Sequence, residues 1–172
     1  MHGLLRDLPH VDAETKALES PDDHRDELRL WLRLLTCTTM IEGEVRRRLR
    51  KRFGVTLPRF DLMAQLDKAP AGLTLSDVSR RMMVSNGNLT ALVERLAASG
   101  HLERRPSPHD RRAQVIRLTE AGRAEFGAMA REHEGWIASM FAGLGPAGTG
   151  ELMALLGRTK RSVRDGLGDD PA

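Results

Sequence analysis

Apolar positions recur along this chain at two spacings, and the change from one to the other marks out its elements. From residue 20 to about residue 53, Leu28, Trp31, Leu32, Leu35, Thr39, Glu42, Val45 and Leu49 fall three and four residues apart, the repeat of one helix face. Ser20-Pro21-Asp22-Asp23 supplies a start: a capping serine, a proline suited to the first helical position, and two carboxylates at the positive dipole end. Only Gly43 interrupts the run before Gly54 stops it. The pattern predicts a helix of about 30 residues, well above the globular mean. A helix of that length on a small domain needs a second long helix or a second chain to cover it.

Leu57-Pro58 opens a second helix, to about residue 68, with Phe60, Met63, Ala64 and Leu66 apolar, and Ala69-Pro70-Ala71-Gly72 is a turn. Thr74 and Asp77 form a capping box and predict a helix to about Met82. Val84-Ser85 reads as the next turn. Ser85 caps a helix over 85–99, with Leu89, Leu92, Val93 and Leu96 as its buried stripe and Gly100 as its stop. The period then falls to two: 101–105 and 113–118 read as strands joined by a polar loop through Pro106, His109 and Asp110. Thr119 caps a further helix to about Ala142, weakened by Gly122, Gly127 and Gly135. Gly143-Leu144-Gly145-Pro146 breaks it, and a last helix covers about 149–165. Residues 1–19 read as a flexible arm and 167–172 as a tail.

The order is therefore helix, helix, helix, helix, strand, strand, helix, helix: a mainly α fold with a small β wing. The short helices at 74–82 and 85–99 with the hairpin after them read as a winged helix-turn-helix. On this reading, 57–118 is a DNA-binding domain, flanked by helical regions at 20–56 and 119–166.

Charge sharpens the picture. The net charge is only +3, but it is clustered. Residues 46–52, RRRLRKR, hold six basic residues in seven, and Arg104, Arg105, Arg111, Arg112 and Arg117 face Asp110 alone in 104–117. Such clusters favour polyanions. With no tyrosine, four phenylalanines and two tryptophans, the chain lacks the stacking platform of a single-strand or RNA binder. One cysteine, Cys37, excludes an intramolecular disulfide and suits a reducing cytoplasm. The N-terminal stretch has no apolar signal region, and no apolar run nears the roughly 20 residues needed to span a bilayer.

The opposite face of the 85–99 helix offers Ser85, Asn86, Asn88, Thr90 and Ala91, with Arg95 further on. Asparagine can pair with adenine in the major groove, hydroxyls can donate or accept, and small side chains meet thymine methyls. These residues, with Thr74, are the expected DNA contacts. Arg111 and Arg112 at the hairpin tip suit a narrow minor groove, with Asp110 orienting one guanidinium. The run from Leu75 to Gly122, SDVSRRMMVSNGNLTALVERLAASGHLERR followed by HDRRAQVIRLTEAG, resembles the MarR family of winged-helix transcriptional regulators. Asp110 and Arg112 match its wing signature, and Leu118, Thr119 and Gly122 the motif that follows. The resemblance implies a homodimer built from the first and last helices, reading double-stranded DNA at a near-palindromic operator. Its half-sites would lie one helical turn apart, about 34–36 Å.

The stretches LRLWLRLLTCTTMIEGEVRRRLRKRFGVTLPRFDLMAQLDKAP and VSNGNLT are similar to the branch that represses phenylpropanoid and hydroxycinnamate catabolism. That implies an effector such as hydroxycinnamoyl-CoA or a related aromatic carboxylate, and no resident cofactor or metal. Family effectors bind between the dimer helices and the DNA-binding lobes, which points to Trp31, Leu35, Thr38, Phe60 and Met63, with Arg29 and Arg33 as anion partners. The bland alternative is core for the apolar members and a solvated face for the arginines. The basic run at 46–52 would touch DNA backbone or the dimer partner, or be a solvated helix end. Cys37, between Leu35 and Met40, is expected to be buried rather than a redox sensor. No enzyme is expected: His133-Glu134 lacks a second histidine at 137, which is Ile137, and His109-Asp110 lacks a nucleophile. The alternative is a winged helix serving as a protein-interaction or RNA-binding module without an effector.

Overall fold

The computed structural model describes residues 25–84, 86–106 and 114–168, so the start expected at Ser20 and the hairpin tip lie outside them. Helix α1 (Arg25–Phe53) buries fewer positions than its sequence stripe suggests. Leu32, Val45 and Leu49 are buried, whereas Trp31 is 57% exposed beside the exposed Leu30 and Met40. Successive helical residues point about 100° apart, so Trp31 and Leu32 cannot share a face. Gly54, at φ 66°, ends the helix, its N–H donating to the Arg50 carbonyl at 3.0 Å. Thr56 is extended and its carbonyl accepts from Arg59 and Phe60, which starts α2 (Leu57–Asp67) with Pro58 in the first turn. Phe60, Leu62, Met63 and Leu66 are buried along α2.

A two-residue strand, β1 (Leu73–Thr74), follows. It was not foreseen, because two residues carry no period. It pairs antiparallel with β3 (Gln114–Leu118), Leu73 opposite Ile116 and Thr74 opposite Val115, and β3 pairs with β2 (Leu102–Pro106), giving the order β1-β3-β2. Gly72 permits this approach: a Cβ there would lie 3.0 Å from both the Ile116 carbonyl oxygen and Val115 Cγ2. Between β1 and β2 stand α3 (Leu75–Met82) and α4 (Asn86–Ala98). The expected inner stripe of α4 is the observed one: Leu89, Leu92, Val93 and Leu96 are all buried.

Helix α5 (Glu120–Phe141) begins at a tight corner. Thr119 Oγ1 accepts from the Gly122 N–H at 3.0 Å and donates to the Gly100 carbonyl at 2.7 Å, while the Thr119 N–H donates to the His101 carbonyl. A Cβ on Gly122 would sit 2.1 Å from that same His101 oxygen, so only glycine lets the helix start against the end of α4. A 3-10 turn (Ala142–Leu144) leads to α6 (Gly145–Leu167). This helix starts four residues before the expected 149: the break falls at Gly145, φ 63°, and Pro146 occupies the first turn.

The chain forms two compact units, one through Met129 and one from Ala130. The first holds α1 to β3 and the opening of α5. Its core runs through Leu49, Leu62, Met63, Leu96, Ile116 and Met129. In the second unit no residue of α6 is buried, and Met153, Leu155, Leu156, Val163 and Leu167 are exposed.

Candidate nucleic-acid interface

The capping box at the start of α3 forms as its sequence requires. The Asp77 N–H donates to Thr74 Oγ1 at 3.1 Å and the Thr74 hydroxyl donates to Asp77 Oδ2 at 2.6 Å, with Arg80 paired to the same carboxylate. The hydroxyl first, then backbone and Arg80, hold the Asp77 carboxyl below its ordinary pKa. Thr74, expected among the DNA contacts, is half-buried and occupied by this cap.

The turn between α3 and α4 is made at Met83, not at Val84-Ser85. Met83 adopts left-handed backbone, φ 52° and ψ 41°. Ser79 closes the turn from two sides. Its carbonyl accepts from both the Met83 and Val84 N–H groups, and its hydroxyl donates to the Val84 carbonyl at 2.7 Å. Sequence reasoning missed Ser79; its only signal is a serine near the C-terminus of a short helix, where a hydroxyl can reach backbone.

On α4, Gly87, Asn88, Ala91 and Arg95 face solvent, while Thr90 is half-buried. Ser85 lies outside the described residues, and of Asn86 only the backbone is described, opening the helix. Asn88, Ala91 and Arg95 form one strip at three- and four-residue spacing. They also line a hollow of about 490 Å³ with Leu92, Arg46 and Arg50 of α1, and the chain from Thr56 to Pro58. Three guanidinium-bearing side chains thus ring a partly apolar cleft. A smaller hollow of about 260 Å³ lies against Pro58, Asp61, Gln65 and Arg81. Burial first, then Glu42, pushes the Asp61 carboxyl above its ordinary pKa, with Arg46 opposing.

The wing stem carries an ion triad. Glu103 of β2 accepts from Arg117 Nε at 2.5 Å across the ladder and from Arg105 Nη2 at 3.0 Å along its own strand. Arg117 first, then Arg105, lower the Glu103 pKa. Arg104 remains exposed on the other face of β2. Asp110, Arg111 and Arg112 lie outside the described residues. At the base of this sheet, Arg59 of α2 pairs with Glu125 of α5 at 2.7 Å, and His101 Nε2 reaches the same carboxylate at 3.2 Å. No short-range pattern could reveal that link, since Arg59 and Glu125 are far apart in sequence.

Half of the basic run of α1 is paired from within the helix, by two carboxylates. Arg46 pairs with Glu42, and Arg47 and Arg48 with Glu44. Those two guanidinium groups lower the Glu44 pKa to about 2. Leu49 is fully buried, and Arg50 is the member besides Arg46 that lines the larger hollow.

The seven residues expected to hold an effector differ in their surroundings. Phe60 and Met63 are core; the Phe60 ring sits 5.5 Å from that of Phe126. Trp31 is exposed, Leu35 half-buried, and Arg33 exposed. Thr38 is exposed with its hydroxyl donating to the Leu34 carbonyl, and Arg29 lies 3.7 Å from Asp26. None of the seven lines either hollow. The reason is angular: α2 turns Phe60 and Met63 into the sheet side, while Trp31 falls on the outer face of α1. Cys37 is likewise exposed rather than buried; among the described residues of α1 only Leu32, Val45 and Leu49 are buried. Among the described residues no group of three or more His, Cys, Asp or Glu side chains could hold a metal ion, and no helix is long and apolar enough to cross a membrane.

The sequence profile of the MarR family matches residues 53–113, from the end of α1 to the wing. The chain is 29% identical over 119 residues to the transcriptional activatory protein BadR of Rhodopseudomonas palustris, covering 67% of each chain. It is 30% identical over 114 residues to the HTH-type transcriptional regulator PecS of Dickeya dadantii, covering 65% of this chain and 69% of that one. Among solved structures it superimposes on a MarR family transcriptional regulator from Silicibacter pomeroyi with a TM-score of 0.70 and 29% identity, over 84% of this chain and all of that one.

Proposed function

The chain belongs to the MarR family of transcriptional regulators, and from that premise we propose that it is a homodimeric repressor that leaves its operator when a small aromatic carboxylate or aromatic acyl-CoA thioester binds. The observation that carries the DNA reading is the solvent-facing strip Asn88, Ala91 and Arg95, on a helix entered through a fixed turn and followed by an arginine-bearing ribbon. Two such helices, one from each copy, address successive major grooves, and the loop arginines Arg111 and Arg112 reach the adjoining minor grooves. The apolar side chains left on α6 supply the surface that a second copy covers.

The effector is best accommodated in the hollow beside α4 rather than among the seven residues read from the sequence. Its volume falls in the range of small-molecule sites, roughly 300–1,000 Å³. Leu89, Leu92 and Pro58 provide apolar wall for a ring, and Arg46, Arg50 and Arg95 provide partners for a carboxylate or phosphate. Asn88, Ala91 and Arg95 belong to both the hollow and the DNA strip. An occupant therefore favours a form whose α4 no longer fits the groove, a shift of population set by its differential affinity.

The test is release of a duplex selected by the protein from a random pool, titrated with hydroxycinnamates, benzoates and their CoA thioesters. At least one class should release the DNA at micromolar concentration, and Arg50→Ala should blunt that response more than it weakens DNA binding. A panel without effect removes the effector, and no preference over random DNA at physiological salt removes the regulator reading. A reporter placed behind the selected duplex gives the sign of regulation.

A further inference from the structure

We propose that Met83 is a DNA-contacting residue, its thioether side chain packing on apolar carbons at the edge of the groove that α4 enters. Met83 is the one non-glycine residue with positive φ among the described residues. It is also 91% exposed, more than any other large apolar side chain described. Its neighbours Met82 and Val84 both line the hollows, and Met83 lines neither.

A methionine held in this way carries two penalties that glycine would not: a Cβ in the left-handed region and an apolar side chain in water. The conformation persists because Ser79 fixes it from both sides, through its carbonyl and its hydroxyl. The backbone thus needs the left-handed turn, but none of the described residues covers the side chain attached there. The position is three residues before Asn86, on the connection that delivers the N-terminus of α4. In a helix-turn-helix that end of the second helix meets base edges, so a side chain projecting from the turn meets the groove's rim. Methionine is flexible and polarisable and fits irregular apolar surface. On DNA that surface is offered by deoxyribose carbons or by the thymine methyl group.

The inference rests on the chain being a DNA-binding regulator, and the experiment separates the two. The full-length wild type selects a duplex from a random pool. Its affinity and that of Met83→Gly are measured at several salt concentrations, with a thermal melt of each protein. Met83→Gly should melt at a higher temperature, because the strain is gone, and bind roughly five- to tenfold more weakly, the scale of one lost apolar contact. The slope of log affinity against log salt should not change, since no phosphate contact is lost. Met83→Asn, which tolerates the left-handed turn without the freedom of glycine, should lose affinity equally. Replacing thymine by deoxyuridine assigns the contact: a loss seen only with the wild type places it on a thymine methyl, and no loss with either places it on deoxyribose. Wild-type affinity in both variants overturns the inference while the regulator reading stands, and a lowered melting temperature overturns it by showing that the side chain packs within the chain. A wild type that selects no duplex overturns both.

Discussion

The two units of this chain use apolar residues in opposite ways. In the first, α2, α3, α4 and the three-stranded sheet enclose side chains such as Leu62, Met63, Val93, Leu96 and Leu118 at about zero exposure. Its polar groups are tied by specific links: the Thr74–Asp77 cap, the Ser79 turn, the Glu103 triad and the Arg59–Glu125–His101 cluster. In the second, α6 buries none of its residues within the chain, although Met153, Leu155, Leu156, Val163 and Leu167 recur along it. The first unit closes a core within one copy, with Leu30, Trp31 and Met40 of α1 left outside it. The second has an amphipathic helix whose apolar stripe is covered by none of the described residues, and a stable place for such a stripe in water is against another surface. The DNA-binding unit thus closes its own core, while α6 leaves its apolar side chains on the surface.

The contrast can be broken most forcefully at α6. Leu155→Glu combined with Leu156→Glu should leave the first unit folded by circular dichroism but turn a dimer into a monomer in sedimentation velocity, with loss of high-affinity DNA binding. A protein that sediments unchanged would mean that this stripe is not what joins two copies. A smaller effect comes from two glycines of α5, one in each unit. Gly122→Ala forces a Cβ into the His101 carbonyl and should cost about 3 kcal/mol in urea unfolding, since backbone rather than a flexible side chain must move. Gly135 has no atom within 4 Å of its would-be Cβ, and Gly135→Ala should instead stabilise by about 1 kcal/mol through helix propensity. Equal signs for the pair would erase the distinction between a packed helix start and an open helix middle.

The smallest expected effect is acid sensitivity of the first unit. Glu44, Asp77 and Glu103 have pKa values lowered in the folded chain by their arginine and hydroxyl partners. A depressed carboxylate contributes stability above its unfolded pKa and loses it as pH falls through the folded value. For Glu44 that window runs from 4.5 down to about 2. Asp61 acts in the opposite sense: its raised pKa makes ionisation costly as pH climbs past 3.8, so Asp61→Asn should slightly stabilise the protein at neutral pH. These pairs are well exposed, so each contribution is modest. Trp31 lies in the first unit and Trp136 in the second. Fluorescence of a Trp136→Phe variant should therefore show the first unit loosening between about pH 4.5 and 2, and Glu44→Gln should flatten that response.

What the sequence by itself determined is local. The caps at Thr74 and Thr119, the proline at 58 and the glycine stops at 54 and 100 set helix ends, because these signals act within a few residues. The stripe of α4 set its inner face, because the helical repeat assigns sides without knowledge of neighbours. The outward strip of Asn88, Ala91 and Arg95 followed as its complement. Tertiary structure decided which apolar residues were core and which were surface. Trp31 and Phe60 are both aromatic at helical spacing, and only packing separates the exposed one from the buried one. It also decided the third strand, which two residues could not announce, and the charge balance of the basic run, where Glu42 and Glu44 neutralise arginines one turn away. It placed the left-handed turn on Met83, because a serine four residues earlier can fix a conformation that methionine itself disfavours. Local signals fix elements because their energies are local. Burial, pairing and strain depend on which distant surfaces meet, and that is settled only when the chain has folded.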